Sequence, residues 1–143
     1  KLRLAVNERG ELLNITLTPG NTDDCKPVID LLSVLSGKVF ADRGYVSKKL
    51  AKQLLEAFNI EFFVKPPRNM KNKLMRLTDK LLTRKRSIVE TVIDQLKNIS
   101  QIEHSRHRSP VNCWVNIICG LIAYCHQPKK PGLHLEWALP PAA

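Results

Sequence analysis

The sequence predicts an α/β layer in which helices flank a mixed sheet, and three observations carry the prediction. Short runs of alternating or continuous apolar residues at 2–6, 13–17, 38–41 and 60–64 read as strands. Longer segments with helical periodicity or helix caps follow at 21–35, 48–58, 79–99 and 110–126. The order strand, strand, helix, strand, helix, strand interleaves the two kinds of element, as layered α/β folds do. A chain of 143 residues, 43% of them hydrophobic, has the length of one ordinary domain and enough apolar material for a core.

Each element has a local reason. Leu2, Leu4 and Val6 alternate with Arg3 and Ala5, Asn7-Glu8-Arg9-Gly10 supplies a turn, and Leu13, Ile15 and Leu17 alternate again, which predicts a hairpin with one buried face. Asn21-Thr22-Asp23-Asp24 offers capping side chains and first-turn acids for a helix to about Leu35. A short strand ends at Asp42-Arg43-Gly44-Tyr45, Ser47 caps a helix to about Phe58, and 60–64 forms the next strand. Residues 65–77 read as a basic loop containing Pro66-Pro67. Ile88, Val92, Leu96 and Ile99 then mark one apolar stripe on a helix over 79–99. Residues 1–127 are expected to form one domain, and 128–143 a Pro-rich, loosely ordered tail.

Charge narrows the partners. Lys and Arg number 23 against 13 Asp and Glu, a net charge of +10. Twelve Lys/Arg and four Asp/Glu fall between Lys65 and Arg108, so that stretch holds +8 of the excess. Such a concentration favours nucleic acid over an anionic membrane. The longest apolar stretch, around Val115 to Tyr124, is too short to span a bilayer. The opening KLRLAV is not a signal peptide. Cys25, Cys113, Cys119 and Cys125 lack metal-ligand spacing and sit in apolar company, which predicts buried free thiols in a reducing compartment. Trp114 and Trp137 are expected in the core and in tail packing. His104 and His107, among arginines and without a carboxylate or cysteine beside them, are expected to face solvent or DNA backbone rather than a metal.

Two carboxylates stand out. Asp42 lies where an apolar strand ends, the place where α/β sheets build sites, although an Asp before Arg43-Gly44 can also be a simple turn former. Glu90 shares a helix face with Arg86, Asp94 and Lys97, each within about 40° of it at about 100° per residue. A solvated face held by i,i+4 pairs would read the same way.

The string RKRSIVETVIDQLKNISQ (84–101) followed by IEHSRHRS (102–109), together with LTPGNTDD (17–24) and FADRGY (40–45), resembles the catalytic core of DDE-type transposases of bacterial insertion sequences, specifically the insertion-sequence 982 family. That family's signature spaces a Tyr, Arg, Glu and Lys as Thr83, Arg86, Glu90 and Lys97 are spaced here, with Thr83 in the place of the Tyr. The resemblance implies an RNase H-like mixed sheet flanked by helices. It further implies DNA strand cleavage and transfer, and Asp42 and Glu90 as catalytic carboxylates holding Mg²⁺ or Mn²⁺. Oxygen ligands suit such hard ions, and two of them can activate the nucleophile and stabilise the leaving oxyanion. Arg86 and Lys97 would contact DNA. It implies a bacterial cytoplasmic, nucleoid-associated protein that forms a homo-oligomer around element ends and target DNA.

The family's first Asp lies on a strand upstream of the hairpin, and none of Glu8, Glu11, Asp23, Asp24 or Asp30 here occupies a strand centre. The expectation is therefore a fold lacking its first strand, a fragment inactive by itself. A non-catalytic DNA-binding relic and a hydrolytic nuclease of the same fold are the alternatives.

Overall fold

In the computed structural model the described residues are 1–23, 25–64, 76–103 and 106–133. Asp24, the core of the expected basic loop (65–75), His104 and Trp137 lie outside them. The chain gathers into two compact units. The first holds residues 1–5 and 13–86; the second holds 6–12 and 87–143.

The hairpin forms where alternation placed it, as β1 (Leu2–Val6) and β2 (Leu12–Leu17). Lys1 and Thr18 exchange hydrogen bonds at its open end. Its tip is organised by Asn7, whose side-chain oxygen accepts from the backbone N–H of Arg9 and Glu11. The expected buried face is reversed. Leu13 and Ile15 are exposed, Arg3 is buried and bonded to the Thr18 hydroxyl at 2.6 Å, and Asn14 donates to the Leu31 carbonyl. Polar pairing favours this face, because Asn14 finds a partner on α1 and Arg3 finds one in Thr18.

Helix α1 (Val28–Leu32) is much shorter than 21–35. Asp23 caps a turn, accepting from the Cys25 N–H, rather than a helix. Pro27 disfavours helical geometry at Lys26, so the helix begins only at the proline itself. Strand β3 (Gly37–Ala41), helix α2 (Lys48–Phe58) and strand β4 (Ile60–Val64) agree with expectation. Ser47 accepts from the Leu50 N–H at the start of α2, and Asn59 closes it in the left-handed conformation at φ 53°. β3 and β4 pair in parallel, Val39 opposite Phe62 and Phe40 opposite Phe63, whose rings stack at 5.1 Å. A parallel pair needs a crossover, and α2 supplies it. Among the described residues the strands form two separate two-stranded sheets, β1-β2 and β3-β4, in place of one mixed sheet.

Val28, Leu31 and Leu32 of α1, Leu50 and Leu54 of α2, and Ile60 of β4 make the buried core of the first unit, with Cys25 packed against it. Helix α3 (Leu77–Lys85) completes that unit.

The helix expected over 79–99 is two helices. Arg86 and Ser87 form a tight turn between α3 and α4 (Ile88–Asn98). Ser is a weak helix former whose short polar side chain suits such a junction.

In the second unit Ile88, Val92 and Leu96 are buried as the stripe predicts, but Ile99 is 65% exposed because α4 has already ended. Ile102 takes up the packing: a methyl at Gly120 of α5 (Pro110–Cys125) would collide with its Cγ2. Tyr124, 1% exposed, donates its hydroxyl proton to the Gly10 carbonyl at 2.7 Å. The first tail residues are engaged, since the Leu133 N–H donates to the Glu8 carbonyl at 2.8 Å. Trp114, Cys119 and Cys125, expected in the core, are exposed along α5, and Cys113 is half-buried. Only the side of α5 bearing Gly120, Leu121 and Tyr124 is covered.

Candidate functional site

Asp42 is set by the end of β3. Its backbone is extended (φ −75°, ψ 164°), and its Oδ1 accepts from the Arg43 N–H at 2.6 Å, capping a single 3-10 turn over Arg43–Tyr45. The turn-forming role is thus present. A second contact goes beyond it: the Arg86 guanidinium lies 2.9 Å from the same oxygen.

That ion pair is one of two that lay α3 along β3. At the other end the Lys38 ammonium sits 2.8 Å from Asp79, whose side chain is only 6% exposed. From Lys38 to Asp42 the strand advances about 13 Å. From Asp79 to Arg86 the helical rise gives about 10 Å. The spans match closely enough for both pairs to close together. Lys38 also lies 4.0 Å from Glu61 and 5.6 Å from the centre of the Phe63 ring.

Between the C-terminal end of β3 and the end of α3 opens a cleft of about 390 Å³, lined by Asp42, Arg43, Thr83, Arg84 and Arg86. Thr83 is buried, and its hydroxyl donates to the Asp79 carbonyl at 2.7 Å. Arg43 and Arg84 are exposed. Among the described lining residues, one carboxylate against three guanidiniums gives a net +2 (3 − 1).

The remaining predicted residues belong to the second unit. Glu90 is exposed in the first turn of α4, and Lys97 lies in its last turn. Seven residues apart, they are within about 20° of one face. Acid at the start and base at the end suit the helix dipole. Lys97 pairs with Glu103 at 2.9 Å, and Asp94 accepts from Asn98 at 2.7 Å. Arg106, His107 and Arg108 are exposed.

Sequence reasoning brought Asp42 and Arg86 into the site without pairing them, and it missed Arg43, Arg84 and the Asp79–Lys38 pair. A signal existed for Arg84, in the run of bases Arg84-Lys85-Arg86 at a helix end. None existed for Asp79, because nothing local marks a helix acid as buried.

The divalent ion that the resemblance implies was tested against these contacts. Mg²⁺ takes several oxygen ligands at close range. Asp42 offers one carboxylate, already engaged by Arg86, in a cleft otherwise lined by cations and a committed hydroxyl. Among the described residues no group of three or more His, Cys, Asp or Glu side chains is placed to hold a metal. The described residues of this cleft do not by themselves supply the oxygen ligands such an ion takes.

No described helix is long and apolar enough to cross a membrane. Neither the curated proteins nor the solved structures contain a match to the chain. The family model for the transposase DDE domain does match, over residues 1–110, from the hairpin through the Asp42 cleft and α4 to the first residue of α5. With that match covering most of its length, the chain belongs to the transposase DDE domain family.

Proposed function

We propose that this chain is a DNA transposase domain on an RNase H-like fold, acting in phosphodiester cleavage and strand transfer. The observation that carries the reading is the position of Asp42: an acid at the carboxyl end of a parallel strand, at the mouth of a cleft lined by Arg43, Arg84 and Arg86. Membership of the family supports the reaction class.

Asp42 and Glu90 are assigned as the catalytic carboxylates, and Arg86 and Lys97 as DNA-contacting cations. Guanidinium and ammonium groups hold phosphate oxygens and offset the charge that builds on them during displacement. The carboxylates are hydrogen-bond acceptors able to orient a water or 3′-hydroxyl. DDE transposases generally use divalent metals; with Asp42 clamped by Arg86, no step is assigned to one here.

Nicking and joining of a supercoiled plasmid in Mg²⁺ buffer, with duplex binding measured in parallel, tests the assignment. Glu90→Gln should lower cleavage at least about a hundredfold and leave DNA binding intact, and Asp42→Asn should lower cleavage as far. A Glu90→Gln chain that cleaves at the unaltered rate removes Glu90 from the site. The Asp42–Arg86 clamp favours a second reading, a DNA-binding or assembly module without catalysis. Binding by the unaltered chain with no cleavage at all selects that one.

A further inference from the structure

The cleft beside Asp42 contains more positive charge than its own acids offset. Arg84 and Lys85 close α3, where bases complement the helix dipole, and that alone would explain a base at this helix end. It does not explain why Arg43, from the turn after β3, converges on the same cleft as Arg84 and Arg86. Among the described lining residues the one acid is Asp42, and it neutralises one guanidinium, that of Arg86, at 2.9 Å. Thr83 forms the floor and spends its proton on the Asp79 carbonyl, so the donors facing an incoming group are guanidiniums. Planar forks of this kind match the paired oxygens of a phosphate. About 390 Å³ is at the small end of ligand sites, and three of the five lining residues are exposed. A groove of that kind suits a chain running across it better than an enclosed small molecule.

We infer that Arg43 and Arg84 form a phosphodiester-binding cleft, closed on one side by Arg86, which Asp42 holds in position. The ligand is the backbone of a nucleic acid. This rests on the proposed DNA function and adds two contact residues to it, both in the first unit and both outside the carboxylate assignment.

Fluorescence anisotropy of a short labelled duplex titrated with the full chain provides the test, with Arg43→Ala/Arg84→Ala set against Lys48→Ala/Lys49→Ala. The two lysines are exposed on α2 and outside the cleft, so both double variants remove the same charge. The arginine pair should weaken binding at least about tenfold more than the lysine pair. It should also reduce the slope of log affinity against log salt by about 1.8, the value for two phosphate contacts at about 0.9 each. Equal losses for the two variants overturn the inference while leaving DNA binding, and so the proposed function, standing. No duplex binding by the unaltered chain overturns both. Should the alanine pair unfold, as circular dichroism would show, Arg43→Gln/Arg84→Gln carries the same comparison with Lys48→Gln/Lys49→Gln. Titration with inorganic phosphate separates the sources of the anion. Displacement of duplex only at high phosphate supports a backbone site. Tight phosphate binding that depends on Arg43 and Arg84, with duplex affinity unchanged in the variant, overturns it.

Discussion

Replacing Lys38 with Met should destabilise the first unit far more than replacing its partner Asp79 with Ala. The reasoning runs from exposure. The Asp79 side chain is 6% exposed, and its oxygen lies 2.8 Å from the Lys38 ammonium. Removing the lysine leaves a carboxylate with almost no access to water, and breaking a buried pair from that side costs about 3–5 kcal/mol. The Lys38 side chain is 36% exposed, so the pair is partly solvated and the lower end, about 3 kcal/mol, applies. In the reverse experiment Lys38 keeps its route to solvent and Glu61 at 4.0 Å, so Asp79→Ala should cost only about 1 kcal/mol. The double variant Lys38→Met/Asp79→Leu, which removes both charges and fills the space, should recover most of the loss. Urea unfolding followed by circular dichroism measures all three, since about 3 kcal/mol is a large share of a domain's total stability of about 5–15 kcal/mol. If Asp79→Ala costs as much as Lys38→Met, the argument from unequal burial is wrong. Because the same pair lays α3 along β3, Lys38→Met should also weaken duplex binding.

Three further predictions concern the second unit. Tyr124→Phe leaves the Gly10 carbonyl without its 2.7 Å donor and should cost about 1–2 kcal/mol in urea unfolding, whereas an unchanged midpoint would show that the bond contributes nothing. Burial, with Cys125 adding to it, pushes the Tyr124 phenol above its ordinary value of 10.0. The folded state then holds the proton more tightly than the unfolded chain. The stability it contributes is complete below pH 10.0 and is lost as the pH rises through the folded value. That alkaline loss should diminish in Tyr124→Phe when melting is followed from neutral to strongly alkaline pH. Gly10→Ala, at φ +70° with the Pro131 carbonyl oxygen in the way of a methyl, should lower stability by at least about 1 kcal/mol, and a stabilised variant would contradict the packing of the tail on the hairpin tip.

Much of the secondary structure was legible because its signals are local. Ser47 as a cap and Asn59 as a left-handed stop bracket α2 at the boundaries its sequence suggests. The parallel strands read as short apolar runs, as strands covered by a crossover do. Where expectation failed, a competing interaction overrode the local pattern. Pro27 cut α1 short, and the turn at Arg86-Ser87 divided the expected long helix. In the hairpin, Asn14 found the Leu31 carbonyl and Arg3 the Thr18 hydroxyl, so alternation gave the period and the wrong face. Along α5, Trp114, Cys119 and Cys125 were expected in the core, but among the described residues burial concentrates on the side of Gly120, Leu121 and Tyr124, and Trp114 and Ile118 are exposed.

The candidate site divides in the same way. Composition and residue order are enough to determine the basic character of the chain, the strand that ends at Asp42, the common helix face of Glu90 and Lys97, and the likeness to a transposase core that the family match bears out. These depend on spacing along one element, which the repeat of the helix or strand converts directly into direction. Only the tertiary structure decided what Asp42 faces. Its partner, Arg86, is 44 positions away in sequence (86 − 42), at the end of a helix laid alongside β3 by the pair of Lys38 with the buried Asp79. A carboxylate's chemistry depends on the charges within a few ångströms of it, and strand order in the sequence does not contain those distances. In the folded first unit Asp42 anchors the Arg86 guanidinium, a contact that spacing along the chain does not reveal.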